Sequence, residues 1–117
     1  MPPARSVTYV SGVFARMHTL ETTPEGHDKG LALLPDLLPW LRESTGFRGM
    51  IRFTTRDRSQ AIVITLWADE ASLRESSESG RELGALAAEA AGSTRVALGE
   101  YELTFLDGEL TSKDVAR

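Results

Sequence analysis

Ala61-Ile62-Val63-Ile64-Thr65-Leu66-Trp67-Ala68-Asp69-Glu70-Ala71 is the stretch on which the reading of this chain turns. Most of its first seven residues are β-branched, aliphatic or aromatic, types that fit a pleated backbone. Ile62, Ile64 and Leu66 fall on one face at period two, and Val63, Thr65 and Trp67 on the other. A strand apolar on both faces needs cover on both. Asp69 then offers a side-chain oxygen where a helix would start.

Upstream, Phe47 to Thr55 reads as a partner strand. Ile51 and Phe53 share one face and Met50 takes the other. Thr55-Arg56-Asp57-Arg58-Ser59 is a polar hairpin loop between the two. Further back, Thr23-Pro24-Glu25 is a helix start: a hydroxyl cap, a proline at the first position and an acid in the first turn. Leu31, Leu34, Leu38 and Leu41 follow as one stripe with Leu37 beside it. Pro35 and Pro39 interrupt that pattern and predict a kink, or a split near Leu34. Gly46 closes the helix. The first strand is expected over Val7 to His18. Tyr9, Ser11, Val13, Ala15 and Met17 lie on one face, and Val10, Gly12 and Phe14 on the other.

Downstream, one long helix is expected from the Asp69 cap to about Ala91. Its inward stripe is Leu73, Ser76 or Ser77, Gly80, Leu83, Ala87 and Ala90. Gly92 ends it. Val96 to Leu106 is the last strand, with Tyr101, Leu103 and Phe105 alternating with Glu100, Glu102 and Thr104. Asp107-Gly108 is a turn. The order βαββαβ is the ferredoxin-like arrangement, an α+β fold with an antiparallel sheet. The whole chain, 1–117, is one domain with its core over 7–106. Residues 1–6 and 111–117 are expected as loose tails.

That fold puts both helices on one face of the sheet. The first and third strands are apolar on both faces, so the second face is expected to be covered by another copy. The chain is predicted to be a homodimer built sheet against sheet, with the last strand and the segment to Leu110 reaching across.

Composition narrows the function. The net charge is −4, so the electrostatic footprint of a nucleic-acid binder is missing. No apolar run approaches the length of a membrane span. Cysteine is absent, which removes disulfides and thiolate metal sites. Met1-Pro2-Pro3-Ala4-Arg5 lacks the apolar core of a signal peptide, and a cytoplasmic location is expected.

Ile64-Thr65-Leu66-Trp67-Ala68-Asp69-Glu70-Ala71, the Gly46-Phe47-Arg48-Gly49 break and the order of elements together resemble the antibiotic biosynthesis monooxygenase family, within the dimeric α+β barrel superfamily. The resemblance covers roughly residues 7 to 106. It implies a cofactor-independent monooxygenase, an oxidoreductase acting on an aromatic or polyketide-like small molecule. In such enzymes an asparagine works with the tryptophan that ends the third strand, inside a cavity between helices and sheet. This chain has no asparagine, and of that pair Trp67 alone carries over. Haem-degrading relatives draw a histidine from the second helix, and residues 69–91 contain none. The alternative is a non-catalytic dimeric module for a small ligand or haem.

The candidate catalytic residues are Trp67, His18 and Arg52. The Trp67 ring can stack on a flat substrate and its N–H can donate to a phenolate or peroxide, although packing alone is the commoner role for such a residue. His18, near a strand end and expected to be partly exposed, is a candidate general base or haem ligand. His27 beside Glu25 and Asp28 is expected to be solvated, with acids ordinary in a first helical turn. Arg16 and Arg52 break apolar strands. Each can hold a carboxylate or an enolate, or pair with Glu100 or Glu102 across the dimer or the sheet, and pairing is the simpler expectation. Tyr9 and Tyr101 read as structural, and Gly80-x-x-x-Gly84 as small residues beneath a helix. No serine has a hydrolase context, and there is no phosphate loop or dinucleotide fingerprint.

Overall fold

A computed structural model describes residues 12–107. Seven elements follow in order: β1 (Phe14–Glu21), α1 (Pro24–Glu43), β2 (Phe47–Thr54), β3 (Gln60–Trp67), α2 (Glu70–Glu75), α3 (Ser77–Ala90) and β4 (Thr94–Glu102). The four strands form one antiparallel sheet in the order β2-β3-β1-β4. This is the ferredoxin-like α+β fold, with the second helix in two pieces.

The local chemistry explains the boundaries. Thr23 caps α1 by accepting from Gly26 N at 3.0 Å, with Pro24 next in line. Asp69 caps α2 by accepting from Ser72 N at 2.7 Å. Asp57 Oδ1 ties the β2–β3 hairpin, accepting from Ser59 N, Ser59 Oγ and Thr55 Oγ1. Gly46, at φ +79, turns the chain from α1 into β2 in a conformation glycine adopts without strain.

Several boundaries differ from the sequence reading. β1 runs from Phe14 to Glu21 instead of ending at His18, and its expected start at 7–11 lies outside the described residues. β4 stops at Glu102, short of Leu106, and Leu110 also lies outside them. α1 is one uninterrupted helix despite Pro35 and Pro39. The carbonyls those prolines leave unbonded belong to Leu31 and Pro35, both exposed residues, so water can satisfy them. The inward stripe of α1 is Gly30, Leu34, Leu37 and Leu41, while Leu31 faces outward. On α3, Ala88 is buried and Ala90 is not. The single helix expected over 69–91 breaks at Ser76, whose hydroxyl donates to Leu73 O at 2.9 Å.

The helices cover one face of the sheet. There β1 presents Arg16, His18 and Leu20, and β3 presents Ala61, Val63, Thr65 and Trp67. The other face carries no helix. In register across β2, β3 and β1 it shows Gly49–Leu66–Ala15, Ile51–Ile64–Met17 and Phe53–Ile62–Thr19. β4 adds Ala97, Gly99 and Tyr101, whose ring lies over Gly99. Not one of these twelve residues is charged. Among the described residues, no helix is long and apolar enough to cross a membrane.

Candidate functional site

A cavity of about 100 Å³ lies between the helical layer and the covered face of the sheet. Leu34, Leu37 and Leu41 of α1 roof it on one side, and Leu83 and Ala87 of α3 on the other. Trp40, 42% exposed, stands at its rim. The three sequence candidates, Trp67, His18 and Arg52, all line this one space, together with Arg16. Alternation brings them together. Arg16 and His18 are two apart on β1, Trp67 shares its face with Thr65 and Val63 on β3, and Arg52 sits opposite Val63 on β2.

Trp67 is 1% exposed. Its Nε1 donates to Thr65 Oγ1 at 3.1 Å, so its one donor is already committed. Phe47 meets the ring edge-on at 5.6 Å between centroids, and the Arg16 guanidinium carbon stands 5.7 Å from the ring centroid. The tryptophan therefore shapes a wall of the cavity and pins the cation beside it.

Arg16 is equally buried, and its charge is answered. It donates to Leu73 O at 2.7 Å, Ser76 Oγ at 3.1 Å and Ser77 Oγ at 3.2 Å, and pairs with Glu100 Oε2 at 3.4 Å. Pairing with a β4 acid is what the sequence suggests for it. The break at Ser76 is part of this arrangement, because it turns Ser76 and Ser77 toward the guanidinium.

Arg52 does not make the pairing within the sheet that the sequence allows. β2 and β4 are the two edges of the sheet, so neither Glu100 nor Glu102 is within reach. Among the described residues Arg52 makes no ion pair or hydrogen bond, and its Nε is buried without a partner. Burial pushes its pKa down from the ordinary arginine value. An uncompensated cation thus faces the cavity.

His18 is buried rather than partly exposed, because β1 continues three residues beyond it and α3 lies above. Burial first, then Arg95 and Arg16, push its pKa down to about 4, so the ring is neutral near pH 7. Arg95 Nη1 stands 3.5 Å from its Nδ1. His27 is also buried, not solvated. The first turn of α1 sits close on the end of α3, where a Cβ at Gly26 would come 3.1 Å from Ala91 O. It does not line the cavity. Tyr101 lies on the other face of the sheet, and Tyr9 is outside the described residues.

The roof opposes a glycine to each polar group. A Cβ at Gly30 would come 2.9 Å from Arg52 Nη1, one at Gly80 2.7 Å from Arg16 Nη1, and one at Gly84 2.8 Å from His18 Cε1. The sequence marks Gly80 and Gly84 as small. It gives no signal for Gly30, which adds nothing to a hydrophobic stripe. Among the described residues there is no group of three or more His, Cys, Asp or Glu placed to hold a metal ion.

The state of His18 makes stability depend on pH. Its folded pKa of about 4 lies below the ordinary value of 6.5, so the unfolded chain binds the proton first as pH falls. Stability from this group is complete above 6.5 and is lost progressively down to about pH 4. At pH 5 the expected loss is about 2 kcal/mol. Urea unfolding at neutral and acid pH should show this loss in the wild type, and a smaller one in His18→Asn. An equal loss in both would refute the assignment.

No protein-family model matches the sequence, and a search of curated proteins finds no match. Solved structures do match. A point mutant of SnoaB, a cofactor-independent oxygenase from Streptomyces nogalater, superposes with a TM-score of 0.59 at 14% identity, over 78% of this chain and 92% of that one. The ActVA-Orf6 monooxygenase of Streptomyces coelicolor, in complex with nanaomycin D, gives 0.59 at 19%, over 87% and 94%. NE2512 of Nitrosomonas europaea, a protein of unknown function, gives 0.57 at 22%, over 87% and 97%. At such identities the likeness is one of architecture. The chain has the ferredoxin-like α+β fold found in antibiotic biosynthesis monooxygenases, the family that its tryptophan-ended strand and acidic helix cap resemble.

Proposed function

We propose that the protein is a cofactor-independent monooxygenase for a small aromatic or polyketide-like molecule. The observation that carries this reading is the cavity itself: apolar walls, a neutral imidazole and a guanidinium without a counter-charge in one partly open space. Oxygenation without a cofactor needs a substrate that becomes an electron-rich anion. An activated methylene loses a proton. The resulting anion passes one electron to dioxygen, and the two radicals join as a peroxide, which takes the proton back. Loss of water then leaves a carbonyl, so that one methylene and one dioxygen give one carbonyl and one water. Arg52 lowers the cost of the anion in a medium where charge is poorly screened. Neutral His18 has an open site for the proton. It is a weak base in the empty cavity, and an anion beside its flanking arginines strengthens it.

A cavity of roughly 150 Å³ accepts a benzene ring. The space here is of that order, so a compact ring system fits better than a tetrapyrrole. A second reading, a binding module without turnover, is favoured by one observation: the Trp67 N–H is already bonded to Thr65. Oxygen-electrode assays with a panel of anthrone-type substrates, which carry such a methylene, separate the two. The expected result is oxygen uptake above the buffer rate, falling roughly tenfold or more in Arg52→Gln. Uptake no faster than buffer for the whole panel would leave only the binding reading.

The protein is proposed to act as a homodimer. The uncovered face of the sheet supports this: twelve uncharged, largely apolar residues from four strands, suited to a self-complementary two-fold contact.

A further inference from the structure

We infer that the cavity is built for an organic carboxylate, with the acid group seated on Arg52 and an apolar body along the leucines of α1. The inference rests on the reading of this cavity as a ligand site and names the chemistry of the ligand. Two arginines face the space, and they differ in one respect. The two Nη atoms of Arg16 are bonded to a carbonyl, two hydroxyls and Glu100, and only its Nε lacks a partner. Arg52 has no acceptor at all among the described residues, and an acid on β4 is a sheet's width away.

No acid in the surroundings of Arg52 pairs with it. Its sheet neighbour is Val63, its roof is Gly30, and the charged groups with a field on nearby His27 are Arg58 and Asp28 besides Arg52 itself, of which Asp28 makes no ion pair with Arg52. A neutral ligand filling the cavity would strip water from the guanidinium and return nothing for it. A carboxylate would supply two oxygens to a planar fork of donors. The Arg16 end is less suited, because Glu100 already occupies that guanidinium and repels a second acid. Gly30 is what leaves the space: a Cβ there would come within 2.9 Å of Arg52 Nη1.

The test compares an acid with its own amide. Phenylpropanoate and phenylpropanamide have nearly the same shape, and isothermal titration at neutral pH and low salt measures each. The acid is expected to bind roughly tenfold tighter or more, because a buried charge left unpaired is costly. Arg52→Gln should erase that preference, and Arg52→Lys should keep part of it. Arg52→Gln should also melt no lower than the wild type without ligand, since it removes an unanswered charge; this separates loss of the seat from loss of the fold. Equal binding of acid and amide, no binding of either, or a preference that survives Arg52→Gln would overturn the inference. Oxygen uptake on the same samples distinguishes it from the proposed reaction. Acid preference without turnover keeps the seat and removes the oxygenase, and turnover that falls in Arg52→Gln without any preference for the acid over the amide does the reverse.

Discussion

Glutamate in place of Ile64 is expected to leave a protein that sediments as a 12.8 kDa monomer, where the wild type is expected to sediment at twice that mass as the proposed homodimer. Ile64 sits in the middle of the uncovered face, in register with Met17 on β1 and Ile51 on β2. A specific two-fold contact of ordinary size buries about 800 Å² per partner, and the twelve residues of this sheet face bring no charge into such a contact. Each copy would bring its own carboxylate to the same patch, with no cation on either side to meet it. Burying such a charge unpaired costs several kcal/mol, and symmetry doubles the cost. Glu78→Lys, on the helical side, is the control and should leave the mass unchanged. A wild type that is monomeric at micromolar concentration, or an Ile64→Glu variant that stays dimeric, would dismiss sheet-against-sheet pairing.

The second large effect is expected at Gly46. The residue holds φ at +79, where an L side chain costs about 1–2 kcal/mol. A Cβ there would also run into the side chain of Ser72, in the first turn of α2. The backbone has little room to yield, because Ala68 N donates to Gly46 O at 2.7 Å and Asp69 holds Ser72 N. Overpacking adds about 1–3 kcal/mol, so Gly46→Ala should cost about 2–5 kcal/mol in all. That is a large share of the stability of a domain this size. Urea unfolding of Gly46→Ala, Ser72→Gly and the double variant divides the loss. Ser72→Gly should recover the steric part and leave the backbone part. Loss of less than about 1 kcal/mol in Gly46→Ala would show that the turn is not locked as described.

The elements legible in the sequence are those written locally. β3 is marked by branched residues on both faces, and α1 by Thr23-Pro24-Glu25. Both helix caps and the hairpin around Asp57 depend on residues within a few positions of one another. The errors that bear on the cavity have a common source in contacts between distant segments. α2 and α3 separate at Ser76 because that hydroxyl answers Arg16, sixty residues earlier in the chain. His18 reads as a strand end only until β1 is known to run on to Glu21. Which arginine finds an acid depends on strand order: β1 is beside β4, and β2 is at the far edge. A hydrophobic pattern can announce a strand. It does not say which neighbour the strand will have, and the charge of the cavity follows from that neighbour.

The glycines above Arg52, Arg16 and His18 also bear on how such a site can change over generations. Every possible replacement of a glycine is larger, so positions 30, 80 and 84 can mutate in one direction only. Each step presses on the guanidinium or imidazole beneath it. The polar group below can shorten, but then its polar atoms withdraw from the cavity. Each glycine and the side chain it faces therefore form a pair of alleles that is safest changed together. A lineage that acquires a new ligand would be expected to do so through the leucines of α1, which vary in shape without touching these pairs.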